Sequence, residues 1–402
     1  MNYYQDLVKD LARETDSKIV FLIMDGLGGM PVSQDGKTEL ELARTPHMDA
    51  LVEKNTCGLA DPIAPGISPG SGPAHLSLFG YDPVKYLMGR GVLEALGIDF
   101  PLKPGDIAIR INFCTVDDNG VVTDRRAGRI STERCVELAA RLDKIKLGAA
   151  ELFVRPVKEH RAAVVIRAPG LGDRLNDTDP QVTGKRPLPL EPGDEPSRKT
   201  ATLANDFIKQ AKDILKHEQP ANMLLLRGIS SFARYPSMAG VYKLKAAAIA
   251  QYPMYRGLAR LLEMDLLDVG DRLENLFDVL EQVYADYTFF FVHVKKTDSA
   301  GEDGDWSRKV DVIEAVDREV PRVLALNPEA LIITGDHSTP AVLKAHSWHP
   351  LPVLLASPNC IPDRETEFGE RACMHGGLGR IPSTSLLPLA MAHALKLERF
   401  GA

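Results

Sequence analysis

The chain has 402 residues, 44% hydrophobic and 26% charged, with 48 Lys and Arg against 55 Asp and Glu, a net charge of −7. That is the composition of a soluble globular protein, and its acidic balance argues against a dedicated nucleic-acid binder. The length exceeds one ordinary core, so two domains, or one core with an insertion, are expected.

The start, Met1 to Asp6, lacks a basic segment followed by an apolar one, and does not read as a signal peptide. No run reaches the roughly 18 apolar residues of a membrane span. Five cysteines (Cys57, Cys114, Cys135, Cys360 and Cys373) are scattered without a CxxC pair. Neither a disulfide framework nor a zinc ribbon is indicated, and reduced thiols in a cytoplasmic protein are expected.

Residues 2–13 have the spacing of an amphipathic surface helix. Lys18 to Met24 reads as a buried strand running into Asp25-Gly26-Leu27-Gly28-Gly29. Helical spacing over 38–55 is broken by Pro46, where Thr45-Pro46 suits a second helix start. The stretch 58–80 is rich in Gly, Pro and Ser and contains Ser68-Pro69-Gly70-Ser71-Gly72-Pro73-Ala74-His75. Glycines and proline punctuate a turn there, and the following residues read as a helix. Ser71 at a helix start has two readings. It is an N-cap, or it is a nucleophile beside free amides that favour an incoming phosphate. His75 falls one helical turn on, on the same side.

From about residue 100 the texture changes. Segments 107–116 and 162–167 read as strands flanking a helix-like piece at 131–146. A Pro-, Gly- and Asp-rich stretch over 168–198 reads as a long loop, a feature that is usually functional or disordered. The expected organisation is a core of residues 1–99 and 241–402 with an inserted domain over 100–240. The insertion carries Asp124-Arg125-Arg126-Ala127-Gly128-Arg129. Three arginines in five residues make either a solvated turn or an anion clamp, since the guanidinium fork matches phosphate and carboxylate. Arg227 and Arg256 are further candidates.

Strand 243–250 returns the chain to the main sheet. Tyr287 to Val294 then runs into Lys295-Lys296-Thr297-Asp298-Ser299-Ala300-Gly301-Glu302, and Ala330 to Ile333 runs into Gly335-Asp336-His337-Ser338-Thr339-Pro340. Three apolar strands thus end in carboxylate or imidazole groups, where open α/β sheets bind ligands. Gathered carboxylates repel unless cations sit between them, and divalent metal ions are the simplest remedy. His293 inside its strand reads as a core residue. His346 and His349 line the pocket or lie on a surface loop. The last helix is expected over 383–398.

In this order, the Asp25-Gly26 strand exit, Pro-Gly-Ser with a histidine four residues on, Asp-Arg-Arg-Ala-Gly-Arg, Thr-Asp-x-Ala-Gly-x-Asp-Gly, Gly-Asp-His-Ser-Thr-Pro and a final His-Gly-Gly resemble the archaeal-type, cofactor-independent phosphoglycerate mutases of the alkaline phosphatase superfamily. The resemblance spans nearly the whole chain. It implies an α/β, alkaline-phosphatase-like, doubly wound, mostly parallel sheet, with a smaller inserted α+β domain that closes over the substrate. It also implies two divalent metals, and no 2,3-bisphosphoglycerate. Carried over, Asp25, Ser71, Asp336 and His337 would hold one metal, and Asp298, Glu302 and His375 the other. Ser71 would be transiently phosphorylated; His75 or a second-metal ligand is expected to shuttle the proton, and Arg125, Arg126, Arg129, Arg227 and Arg256 are expected to bind substrate.

The family's usual second-metal histidine is Glu302 here, a harder ligand that tilts the site from zinc toward manganese or magnesium. Gly72-Pro73 replaces the Asp-Thr that often follows the nucleophile, and Arg256 stands where many relatives have lysine. The expected partner is a small phosphorylated hydroxy acid, with no nucleic acid and no membrane, and with self-association into a homo-oligomer left open. Two other readings stand beside this one. The first is a metal-dependent phosphomonoesterase or phosphotransferase acting on another small metabolite. The second is a non-catalytic metal-binding regulatory protein, which an altered ligand at Glu302 keeps in play.

Overall fold

The computed structural model describes residues 3–86, 89–233 and 235–401. The chain falls into two compact units, residues 1–87 with 235–402, and residues 88–234. The helix Arg90–Gly97 groups with the second unit.

The first unit is built on an eight-stranded sheet. Its strand order is Gly379–Pro382, Thr56–Asp61, Leu351–Ala356, Ala330–Thr334, Ile19–Met24, Phe289–Val294, Ala246–Ala250 and Asp265–Leu266. Leu351–Ala356 runs antiparallel to both neighbours, and the other pairings are parallel. Ile19–Met24 is central, with Phe289–Val294 on one side and Ala330–Thr334 on the other. The later chain passes to either side of this strand, which creates a switch point at the carboxyl ends of the three strands, where α/β sheets place their ligands.

These strands are apolar throughout because both faces are covered. Val20, Leu22, Phe290, Val292, Leu331 and Ile333 pack on one face against Leu276, Phe277 and Leu280 of Glu274–Val283 and Ile313, Val316 and Val320 of Trp306–Ala325. On the other face Phe79 meets Phe289 and Phe291 edge-on, at ring-centroid distances of 6.1 and 5.0 Å. Phe291 is fully buried, and its truncation to alanine would cost about 3–5 kcal/mol. Among the described residues, no helix is long and apolar enough to cross a membrane.

The second unit is an antiparallel sheet in which Ile107–Val116 pairs with Arg161–Arg167 on one side and Met223–Ser231 on the other, and Glu151–Lys158 extends it. Ile107, Ile109, Ile111 and Phe113 face the helices Thr132–Leu142 and Glu195–Leu215. The second of these helices begins at Asp194, whose side chain accepts from the Ser197 amide. The expected loop over 168–198 therefore ends in this helix's first turn. Period-two alternation puts Arg110 on the opposite face from these helices.

Candidate active site

Three strand exits and one helix start converge. Asp25 follows Ile19–Met24, Asp298 sits in the helix Lys296–Asp303 after Phe289–Val294, and Asp336 and His337 follow Ala330–Thr334. All four side chains are buried. Gly26 adopts φ +67°, and a Cβ there would lie 2.9 Å from Asp298 Oδ1 and 2.6 Å from Thr339 Oγ1. The turn beside Asp25 thus requires glycine on conformational and steric grounds. Thr339 donates its amide to Gly28 O at 3.0 Å, and buried Lys309 donates to Gly28 O and Thr339 O, both at 3.0 Å. The loops bearing Asp25 and His337 are thereby tied to each other and to the helix Trp306–Ala325.

Ser71 is the first residue of the helix Ser71–Leu78, whose N-cap is Gly70. Its hydroxyl does not cap the helix but lies 3.3 Å from His337 Nε2. The tautomer of His337 follows from its other nitrogen. Thr339 Oγ1 donates its one proton to Asp298 Oδ1 at 2.7 Å, so at 3.0 Å it accepts from His337 Nδ1–H. Burial lowers the His337 pKa to about 4, which keeps the ring neutral and leaves Nε2 with its lone pair. That lone pair lies 3.1 Å from Asp336 Oδ2 and 3.4 Å from Asp25 Oδ1, two buried carboxylate oxygens with no hydrogen-bond partner of good geometry. Two carboxylate oxygens, an imidazole lone pair and the Ser71 hydroxyl thus face one another, more acceptors than the Ser71 proton can serve.

Asp298, His337 and His346 form a second group. His346 donates Nδ1–H to Pro69 O at 3.0 Å, so its Nε2 lone pair faces Asp298 Oδ1 at 3.6 Å and Glu302 Oε1 at 4.0 Å. The rings of His337 and His346 stack at 3.6 Å. Anchoring one imidazole nitrogen while the other faces inward is the usual support of metal-binding histidines. The donor set of the first group fits a divalent cation on the strength of its unpaired carboxylate oxygens, and that of the second on the inward-facing imidazole beside Asp298.

The electrostatics agree. Burial and the nearby Asp336 push the Asp25 pKa well above the carboxylate range, against the pull of Lys295. Burial also works to raise Asp298, but the Lys295 ammonium and the hydrogen bonds from Lys295 and Thr339 outweigh it and hold its pKa down. Lys295 Nζ lies 3.1 Å from Asp25 Oδ2 and bonds Asp298 Oδ2. Tyr255 donates its hydroxyl to Asp25 Oδ2, with Ser71 also among its hydrogen-bonding neighbours.

Several expected residues lie elsewhere. His375 is exposed in the turn after Glu370–Cys373 and joins neither group; the histidine beside Asp298 is His346. Glu302 is about half exposed, at the rim. His75, expected to carry a proton, has no exposed side-chain surface. Its Nδ1 sits 2.8 Å from Ser71 O and 3.2 Å from Asp336 Oδ2, and its ring packs against Tyr255, Phe291 and His293. It braces Asp336 from within the core. Arg256 donates to Leu267 O at 2.7 Å and reaches Asp268, while its neighbour Tyr255 is the residue on Asp25. His293 is buried under the same cluster, with Nε2 3.6 Å from Asp25 Oδ2.

The second unit holds an arginine cluster of its own. Arg110 and Arg227 are directly opposed across neighbouring strands, a pairing that repels unless an anion or carboxylate intervenes. Asp179 lies 3.4 Å from Arg227 Nε, and takes Arg125 bidentately at 2.8 Å on each oxygen. The Nε groups of Arg110 and Arg227 are buried without a hydrogen bond. Asp124 accepts the amides of Arg126 and Gly128, at 2.8 and 2.7 Å, and so shapes the turn that exposes Arg126 and Arg129.

The class this defines is a mostly parallel α/β fold whose switch point gathers carboxylates and imidazoles that could hold a metal ion, with a serine hydroxyl beside them. Comparison with known proteins narrows this. A family model described as 2,3-bisphosphoglycerate-independent phosphoglycerate mutase matches residues 53–222. A probable 2,3-bisphosphoglycerate-independent phosphoglycerate mutase of Thermus thermophilus is 48% identical over 98% of this chain and 99% of its own length. One from Thermotoga neapolitana is 49% identical over 99% of each. Among solved structures, the PH0037 protein of Pyrococcus horikoshii is 31% identical with a TM-score of 0.83, covering 96% of this chain and 99% of that one. The cofactor-independent phosphoglycerate mutase of Thermoplasma acidophilum is 31% identical with a TM-score of 0.73, covering 94% and 100%. The chain belongs to the 2,3-bisphosphoglycerate-independent phosphoglycerate mutase family.

Proposed function

We propose that this chain interconverts 3-phosphoglycerate and 2-phosphoglycerate through a phosphoserine at Ser71, without 2,3-bisphosphoglycerate. The observation that carries the proposal is the convergence of Ser71 Oγ with His337 Nε2, Asp25 Oδ1 and Asp336 Oδ2. Asp25, Asp336, His337 and Ser71 would hold one divalent ion, and Asp298 and His346, with Glu302 at the rim, a second; such ions lower the serine's pKa and neutralise phosphoryl oxygens. Two carboxylate-rich donor sets with a glutamate at the rim favour manganese or magnesium over zinc.

Ser71 Oγ attacks phosphorus in line, and its proton passes, directly or through water, to the departing glycerate oxygen. A bond to Oγ forms as the bond from phosphorus to the glycerate oxygen breaks. The amides of the first turn of Ser71–Leu78 favour the arriving negative charge. Arg126 and Arg227, backed by Arg110, anchor the glycerate carboxylate. The retained glycerate takes the phosphoryl group back on its other hydroxyl. Were glycerate lost, water would take its place and the outcome would be hydrolysis, so retention by the arginines separates a mutase from a phosphatase.

The test is incubation with Mn2+ and 3-phosphoglycerate, with no bisphosphoglycerate added. 2-Phosphoglycerate should accumulate, and a chelator should stop it. Release of inorganic phosphate without isomerisation would replace the mutase reading by the phosphomonoesterase one.

A further inference from the structure

Lys295 occupies a distinctive place between the two cation-receptive groups. Asp25 and Asp298 each divide their oxygens. Asp25 Oδ1 faces His337 at 3.4 Å, and Asp298 Oδ1 faces His346 at 3.6 Å. The Oδ2 atoms of both turn the other way, to the Lys295 ammonium. The lysine is held closely. It lies one helical turn before Asp298, which puts the two side chains on one face. Its Nζ stands 5.5 and 5.8 Å from the ring centroids of Tyr252 and Tyr255, within cation–π range. Tyr255 in turn donates to the same Asp25 Oδ2. Two carboxylates and two aromatic faces thus make a built site for one positive charge, and the chain supplies that charge itself.

We infer that Lys295 is a resident counter-cation: it holds Asp25 and Asp298 in register before divalent ions arrive, and is a positioning residue rather than a catalytic one. Asp25 and Asp298 are buried and turn their Oδ2 atoms onto the same Nζ, so the two carboxylates crowd and repel one another when ionised. One ammonium shared by the two offsets that repulsion in the metal-free protein. Once divalent ions neutralise the Oδ1 side, the same ammonium becomes a like charge beside them. Lys295 therefore stabilises the metal-free state more than the metal-loaded state. By linkage, it weakens metal binding while keeping the ligands ordered. The site stays folded and assembled without metal, at the expense of affinity. This inference rests on the two cation sites proposed above.

The test is Lys295→Met, with Lys295→Gln as a second neutral variant and Lys295→Arg as the charge-retaining control. Thermal melting and Mn2+ titration calorimetry on the whole chain, chelator-treated and without substrate, read the effect. The neutral variants should melt below wild type when metal-free, and the gap should narrow on saturation with Mn2+. Their dissociation constant for Mn2+ should fall roughly three-fold or more, and Lys295→Arg should follow wild type. Equal melting of the metal-free proteins overturns the inference, as does Mn2+ binding that is unchanged or weaker in both neutral variants. The latter would make Lys295 an orienting strut only. If wild type itself takes up no Mn2+, the cation-site reading fails, and this inference fails with it.

Discussion

Ser71 Oγ lies 3.3 Å from Nε2 of His337, whose other nitrogen is committed to Thr339. A hydroxyl at the open end of a helix therefore meets an imidazole lone pair fixed in direction. Ser71→Ala should reduce isomerisation by roughly a thousand-fold or more. Metal content should stay near wild type, because Asp25, Asp336 and His337 remain. Mass spectrometry of the quenched wild-type reaction should find a phosphate on Ser71 and none in the variant. Turnover persisting in Ser71→Ala would remove this residue from the nucleophile's role.

His346 and His375 give opposite expectations. His346→Ala deletes the imidazole facing Asp298 Oδ1 and should lower bound Mn2+ toward one ion per chain, with activity down roughly a hundred-fold. His375→Ala, on an exposed turn, should change neither. Elemental analysis of both variants, purified with excess Mn2+ and desalted, is the check.

The opposed Arg110–Arg227 pair predicts a site that gains from an anion. Arg227→Ala should raise KM for 3-phosphoglycerate by roughly ten-fold or more, with Arg227→Lys recovering only part of the loss because the fork is gone. Arg126→Ala should raise the ratio of phosphate released to 2-phosphoglycerate formed. An unchanged ratio in steady-state assays following both products would argue against the arginine anchor.

The same cluster leaves a mark on acid stability. Burial, then Arg161, with Arg110 and Arg126 adding and Glu159 opposing, lowers the His160 pKa to about 4, against about 6.5 in an unfolded chain. The unfolded state thus takes up a proton in this window and the folded state does not. The contribution is complete above about pH 6.5 and is lost as pH falls toward 4. Urea unfolding midpoints at pH 7 and pH 4.5 should differ less for His160→Gln than for wild type.

Gly26→Ala would force a left-handed backbone on alanine, costing about 1–2 kcal/mol, and drive its methyl into Asp298 and Thr339. Chemical denaturation should show that loss or more, and Mn2+ affinity should fall with it, since Asp298 must shift.

The residues legible in the chain were those whose position is set by a strand exit. Asp25, Asp298, Asp336 and His337 each follow an apolar run within a few residues, so the sheet alone brings them to one edge. Ser71 was legible from the glycines before its helix. His346 was harder to place because it lies in an irregular segment between two strands. Nothing in its spacing separates it from His349 or His375, and only the antiparallel turn back into Leu351–Ala356 brings it home. Lys295 and Tyr255 belong to no motif. The signal for Lys295 was its place directly after a strand and three residues before Asp298, and Tyr255 was overshadowed by the charge of Arg256. The helix Glu195–Leu215 was missed because Pro196 and the acidic run before it continue a loop-like composition, although Asp194 is a cap and proline suits a first turn.

Tyr86 and Tyr235 bring their tilted rings to 5.6 Å apart, although the whole second unit lies between them in the sequence. The chain thus leaves the first unit and re-enters it at neighbouring points, so that unit's topology closes on itself. Substitutions confined to residues 88–234 therefore leave in place the chain that carries Asp25, Ser71, Asp298 and His337.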